Sequence, residues 1–207
     1  MPASVGRVRF LERPRGVGEA GEECPWLDGT RFWATIGLRV EPGPRGSGGV
    51  FTYETELGAL PRAFHSAIEE TVHTSMRTGL FGAAVTDYRV TLVRSGFVAP
   101  LSTAADFRGL TPYVLRRALE RARTRLYEPY HAFETEVPLD AMAPVTAHLA
   151  ALGAEFTGTT GGSTSWVITG EIAARRVREV ELRLPGLTHG EGVWWSRPSG
   201  DRELRPG

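Results

Sequence analysis

The chain has no lysine and a single cysteine, Cys24. One thiol cannot form an internal disulfide, which suits a cytoplasmic compartment. Without lysine there can be no Gly-x-x-x-x-Gly-Lys-Ser/Thr phosphate loop, so no nucleotide site of that kind is expected. No run of eighteen apolar residues occurs, so no membrane helix and no membrane partner are expected. Met1–Phe10 show no apolar stretch ending in a small-residue cleavage site, which speaks against a secretory signal. There is no His-Glu-x-x-His or paired-cysteine spacing, and His65 and His73 are too far apart along one helix to share an ion easily. No metal site is therefore expected, and the histidines read as surface or structural. Ser47 sits in Gly46-Ser47-Gly48-Gly49, which is not a nucleophile elbow, and Glu69 and Glu70 are neighbours that face different ways on a helix. No catalytic residue is expected in this chain.

What is present is a chain of 207 residues with a formal net charge of zero. That length holds one large domain or two small ones. The charge balance argues against a nucleic-acid coat that works through bulk positive charge. The arginines are unevenly spread. Thr111–Arg125 contains Arg116, Arg117, Arg121, Arg123 and Arg125 against the single acid Glu120. Such a run is either a solvated helix face or a phosphate-facing surface.

Periodicity divides the chain in two. Phe32, Ala34, Ile36, Leu38 and Val40 alternate with polar positions and predict a strand. Pro42–Gly49 reads as a loop and Phe51–Leu57 as a second strand, the two strands forming a hairpin. Pro61 opens a helix whose stripe is Leu60, Phe64, Ile68, Val72 and Met76, with Gly79 as its C-terminal cap. Val85–Val93 is a third strand, Ser95–Asp106 an irregular loop, and Thr111 and Pro112 open a second helix carrying Val114, Leu115, Ala118, Leu119 and Ala122. From Leu126 the pattern restarts. It gives a strand over Tyr130–Val137, a helix capped by Asp140 and ended by Gly153, and a hairpin of Ala154–Thr159 with Ser163–Thr169. A helix over Ala173–Leu184, stopped by Pro185 and Gly186, and a strand over Gly192–Ser196 complete it. That order, βαββαβ, is the ferredoxin-like motif. The expected class is α+β with two domains, 1–126 and 127–207. Trp194 and Trp195 adjoin in the last strand, one facing in and the other out.

The connection Ser95–Asp106 carries apolar Phe97, Val98, Pro100 and Leu101 between polar flanks. Apolar side chains on a loop either fold back onto their domain or meet a partner.

Several stretches resemble elongation factor G, and more closely the ribosomal protection proteins of tetracycline resistance. They are Arg13-Pro14, Phe32–Leu38 with Val40-Glu41-Pro42, Gly79–Gly82 followed by Val85-Thr86-Asp87, Ser102–Arg108, Leu126–Tyr130, and Gly170-Glu171-Ile172 with Ala174-Arg175. They stand in the family's order across almost the whole chain. The resemblance implies a domain IV-like first domain, elongated, βαβ-containing and of the ribosomal protein S5 domain 2-like type. Its crossover would be left-handed, against the general rule. The second domain would be the ferredoxin-like domain V. The GTPase domain, with its GTP and magnesium, and the second and third domains would belong to a longer parent, a GTPase, leaving no cofactor and no GTPase motif in this part. The family's further C-terminal helix would be absent after Arg205-Pro206.

The resemblance also implies the partners and the site. The partner is the ribosome, through small-subunit rRNA near the decoding site and the large-subunit GTPase-associated region, in the cytoplasm, with the fragment a monomer. The loop Phe97, Val98, Ala99, Pro100 and Leu101 would reach the tetracycline site on small-subunit rRNA and help dislodge the drug. Pro100 matches the family's tip proline. Val98 and Ala99 depart from the family's tyrosine- and serine-bearing pattern, which leaves a rigid apolar wedge. Arg45, Gly46, Ser47 and Gly48, and Gly79, Leu80 and Phe81, would form further tip loops at the same end. Arg94, Arg108, Arg117 and Arg121 would contact phosphate. The alternatives are a translocation-type paralogue without a resistance role and an unrelated α/β ligand-binding module.

Overall fold

In the computed structural model the described residues are 10–204. The first nine and last three residues, on which the readings of Met1–Phe10 and of Arg205-Pro206 partly rest, lie outside them. The chain divides into two compact units, Leu11–Leu126 and Tyr127 onward, the latter together with Phe10.

The first unit begins with short strands β1 (Leu11–Arg13), β2 (Gly18–Glu23), β3 (Trp26–Leu27) and β4 (Thr30–Arg31). Then come β5 (Ala34–Pro42), β6 (Gly49–Tyr53), α1 (Arg62–Ser75), β7 (Ala84–Val85), β8 (Tyr88–Phe97) and α2 (Ala104–Arg121). The main sheet runs β2-β5-β8-β6. The alternation seen in the sequence is the buried face of β5: Ala34, Ile36, Leu38 and Val40 are fully buried. The stripes of α1 and α2 close over them, with Ile68, Val72, Leu110, Val114 and Leu115 in one core.

Three features differ from the sequence reading. The expected hairpin between β5 and β6 does not form; β8 lies between them, antiparallel to β5 and parallel to β6. The other edge of β5 is taken by β2, whose Gly-Glu-Ala-Gly-Glu-Glu sequence carries no strand signal. Packing explains this strand: a Cβ on Gly18 would sit 2.1 Å from the Ala118 carbonyl, so α2 lies directly on the β2 backbone. Thirdly, α2 starts at Ala104 rather than at Thr111-Pro112, so the loop is far shorter than Ser95–Asp106. Thr103 and Asp106 form a reciprocal capping box, and Pro112 lies inside the helix. A proline there costs about 3 kcal/mol. The first turns are retained because Phe107 and Leu110 are fully buried.

The second unit is ferredoxin-like. Its elements are β9 (Arg125–Pro138), which begins just before the division, α3 (Met142–Ala151), β10 (Glu155–Gly161), β11 (Ser165–Ala173), α4 (Ala174–Leu187) and β12 (Val193–Glu203). The strands order as β10-β11-β9-β12 with every neighbour antiparallel. Phe133, Val137, Val145, Leu149, Ile168, Ile172 and Val180 fill its core, and Trp194 stacks on Phe133 at 4.9 Å. Trp195 faces outward. Asp140 does not cap α3, which is entered through a single 3-10 turn with Ala141 at the N-cap. Pro185 does not stop α4 either, since it falls in the last turn and the helix continues to Leu187.

Candidate functional site

Register decides where each loop of the first unit lies. Ala34 pairs with Phe97 at one end of the β5–β8 ladder, and Pro42 pairs with Tyr88 at the other. The eight steps between Ala34 and Pro42 span roughly 27 Å at the usual strand rise. The loop after Phe97 is therefore at the Ala34 end. The Pro42–Gly49 loop, which joins Pro42 to Gly49 opposite Tyr88, is at the far end. The turn at Gly79–Ala83, leading into β7 and Asp87, belongs with it. Arg45, Gly46, Ser47, Gly48, Gly79, Leu80 and Phe81 thus do not share an end with Phe97–Leu101, which corrects the expectation of one common tip. That expectation came from the resemblance; because β8 runs antiparallel to β5, the loop that follows β5 and the loop that follows β8 lie at opposite ends of the sheet.

The far-end loops are built on two buried carboxylates. Glu12, fully buried on β1, accepts from the amides of Leu80, Phe81 and Ala83 at 2.8, 2.7 and 3.1 Å. Gly79 is required here, and is not a helix cap, because a Cβ would meet Glu12 Oε2 at 2.3 Å. Asp87, 3% exposed, accepts from the amides of Gly46 and Gly48 at 3.0 and 3.2 Å and from Arg13 Nε at 2.7 Å. Burial pushes the Asp87 carboxyl up. The Arg13 guanidinium and the two glycine amides outweigh that and hold it below the ordinary aspartate range.

At the Ala34 end the loop Val98–Ser102 is closed on itself. Val98 N donates to Ser102 Oγ at 2.7 Å, and Ser102 N donates to the Val98 carbonyl at 2.9 Å. Ser102 Oγ in turn donates to the Trp33 carbonyl, and Trp33 N donates to Asp106 Oδ1 at 3.0 Å. Burial raises the Asp106 carboxyl, but bonds from Thr103 and the Trp33 amide bring it below its usual value. Above this base the side chains point to solvent: Val98 and Leu101 are 37% and 47% exposed, and Ala99 and Pro100 are exposed as well. Phe97 is different. It ends β8, and its ring meets Phe64 edge-on at 5.9 Å, so it joins the loop to the core.

The expected phosphate-binding arginines are dispersed and have acidic or carbonyl partners. Arg94 pairs with Glu23, Arg108 with Glu70 and Arg117 with Glu22. Arg121 donates to the Glu19 carbonyl. α2 starts next to the loop, so Arg117 and Arg121 lie about 20 Å or more along it at 1.5 Å per residue. Near its end Arg15, Arg121, Arg123 and Arg125 line a cavity of about 520 Å³. Among the described residues no group of three His, Cys, Asp or Glu could hold a metal ion, and no helix is long and apolar enough to cross a membrane.

The sequence reading missed the β3–β4 hairpin, which leaves the sheet at the Ala34 end. Its signal was the Asp28-Gly29 pair, whose φ of 47° and 77° make a tight turn between two-residue strands. The hairpin lies along α2: Tyr113 donates to Asp28 at 2.7 Å, and a Cβ on Gly109 would meet the Phe32 ring at 2.4 Å.

Known proteins share this arrangement. The family model of elongation factor G, domain IV, matches residues 6–123, and that of the elongation factor G C-terminus matches 125–206. The tetracycline resistance protein TetM of Streptomyces lividans is 76% identical over 202 residues, covering 98% of this chain and 32% of that protein. The oxytetracycline resistance protein of Streptomyces rimosus is 42% identical, over 95% of this chain and 31% of its own length. The chain thus spans about a third of the length of the curated relatives it matches. A crystal structure of a Thermus thermophilus protein superposes with a TM-score of 0.74 at 23% identity, over 98% of this chain and 31% of that one, and shares the fold.

Proposed function

The chain belongs to the elongation factor G family, of which it carries the domain IV and C-terminal parts, and from that membership we propose that it is the ribosome-binding region of a tetracycline resistance factor. The names of its relatives support the resistance role. In this reading 1–126 and 127–207 are its two domains, and GTP and magnesium act in a G domain elsewhere in the parent protein. The chain contributes binding rather than chemistry. One face meets small-subunit rRNA near the decoding site, and the ferredoxin-like unit meets the GTPase-associated region of the large subunit.

The observation that carries the reading is the loop Val98–Leu101, apolar and exposed above a base fixed by Ser102 and Asp106. A loop already closed by its own hydrogen bonds loses little entropy on docking. Fully burying a Val or Leu side chain is worth about 1.5–3 kcal/mol. That is too little to hold a ribosome, but enough to tilt competition with a small drug once a large factor is docked. Phe97 ties the loop to Phe64, and its exposed part joins Val98, Ala99, Pro100 and Leu101 in the contact surface.

The test is a resistance assay with the complete gene that carries this chain. Replacing Val98–Leu101 by Gly-Ser-Gly-Ser, with Phe97 kept, is expected to return the tetracycline threshold to that of the host. Protein level and GTP hydrolysis should be unchanged. Resistance that persists in this variant would remove the loop from the mechanism.

A further inference from the structure

We infer that Trp26, with Arg31 opposite it in the β3–β4 hairpin, is a stacking contact for one unpaired RNA base, separate from the Val98–Leu101 loop. The inference rests on the ribosome-binding reading above and adds a second contact to it. Trp26 is 67% exposed, more than any other aromatic residue among the exposed large hydrophobics. It sits on a rigid support. Cys24 N donates to the Ala34 carbonyl at 2.9 Å, Phe32 N to the Pro25 carbonyl at 3.0 Å, and Tyr113 holds Asp28. Leu27, the next residue, packs against the core, so the strand alternation holds Trp26 outward.

Arg31 is the direct cross-strand partner of Trp26. Its guanidinium lies 4.8 Å from the centroid of the Trp33 ring, and its buried Nε has no hydrogen-bond partner among the described residues. Aromatic rings beside a planar guanidinium are the pieces with which proteins hold splayed-out bases.

One observation favours a base over a protein partner, and a second bears on how the base is held. First, the exposed apolar surface here consists of single rings, Trp26 and Tyr113, the latter 38% exposed. A base needs one ring face, whereas a stable protein interface needs on the order of 1,000 Å². Second, the neighbouring cavity of about 490 Å³ is lined by Leu27 and Tyr113 with Arg116 and Arg117 balanced by Glu22 and Glu120. Opposed charges that cancel do not attract phosphate, so the contact works by stacking and its strength should not depend on salt.

The experiment measures binding of the complete factor to ribosomes with a non-hydrolysable GTP analogue, at low and high salt. Trp26→Ala should weaken binding about 30-fold, the middle of the range for one stacked base, by the same factor at both salt concentrations. Trp26→Phe should restore most of it and Trp26→Leu little. A photo-crosslinker at position 26 should label rRNA. Unchanged binding by Trp26→Ala overturns the inference. So does rescue by Leu equal to that by Phe, or a crosslink to a ribosomal protein. In each of those cases a loss of binding on replacing Val98–Leu101 would leave the ribosome-binding reading standing. A wild-type factor that does not bind ribosomes overturns both.

Discussion

The two units reach order by different physical means. In Tyr127 onward, an alternating pattern and two amphipathic helices close an antiparallel sheet, and most ion pairs lie toward the surface, Arg175 with the buried Glu128 excepted. Arg202 bridges Glu155 and Glu171 with a third of its side chain exposed. In Leu11–Leu126, side chains near the N-terminus organise turns about 70 residues away: Glu12 gathers the amides of Leu80–Ala83, and Arg13 holds Asp87. Buried charge thus orders distant turns in the first unit, whereas among the described residues of the second it appears once, where Glu128 of β9 holds Arg175 of α4, and the other pairs lie nearer the surface. The far-end loops need such struts, because Pro42–Gly49 has no apolar side chain in the core with which to order itself.

The largest effect should come from Asp87→Ala. Removing one partner of a buried pair costs about 3–5 kcal/mol, and here it takes the Asp87 carboxylate from Arg13 and frees the Gly46 and Gly48 amides. Hydrogen exchange should show lost protection in β5 and β8, with α3 and β11 unchanged; uniform loss in both units would break the comparison. The same pair sets the acid response. Asp87 and Asp106 titrate below their ordinary values when folded. Their stabilisation is fully present above the unfolded value of about 4 and is lost as pH falls through the lower folded values. The first unit should therefore open before the second on acidification. Glu171, also depressed by Ser199 and Arg202, contributes less because it is partly solvated.

Gly79→Ala tests the other strut. Its methyl group must displace the Glu12 carboxylate, for about 1–3 kcal/mol of destabilisation in chemical denaturation. A neutral result would show that the turn can shift, and that Glu12 follows it instead of setting it. The smallest effect belongs to the second unit. Arg202→Ala should cost under about 1 kcal/mol once solvent screening is allowed for. A cost above about 2 kcal/mol by thermal denaturation would show that its surface pairs matter as much as the buried ones.

Pattern alone was enough for the second unit. The periods of Phe133, Val137, Ile168 and Ile172 and of the two helices depend on neighbours a few residues apart, so their order and core were legible, with errors confined to ends such as Pro185. In the first unit the buried faces of β5, α1 and α2 were legible for the same reason. So were the apolar character of Val98–Leu101 and the absence of a phosphate loop. Three things were decided only in the tertiary structure. β2 is a strand because α2 packs on Gly18, Glu12 is buried because turn amides 68–71 residues later surround it, and Pro42–Gly49 lies opposite the Val98–Leu101 loop because β8 runs antiparallel to β5. Local spacing records which face of an element is apolar. Which element meets which edge depends on hydrogen bonds between distant residues, and nothing in the local pattern encodes them.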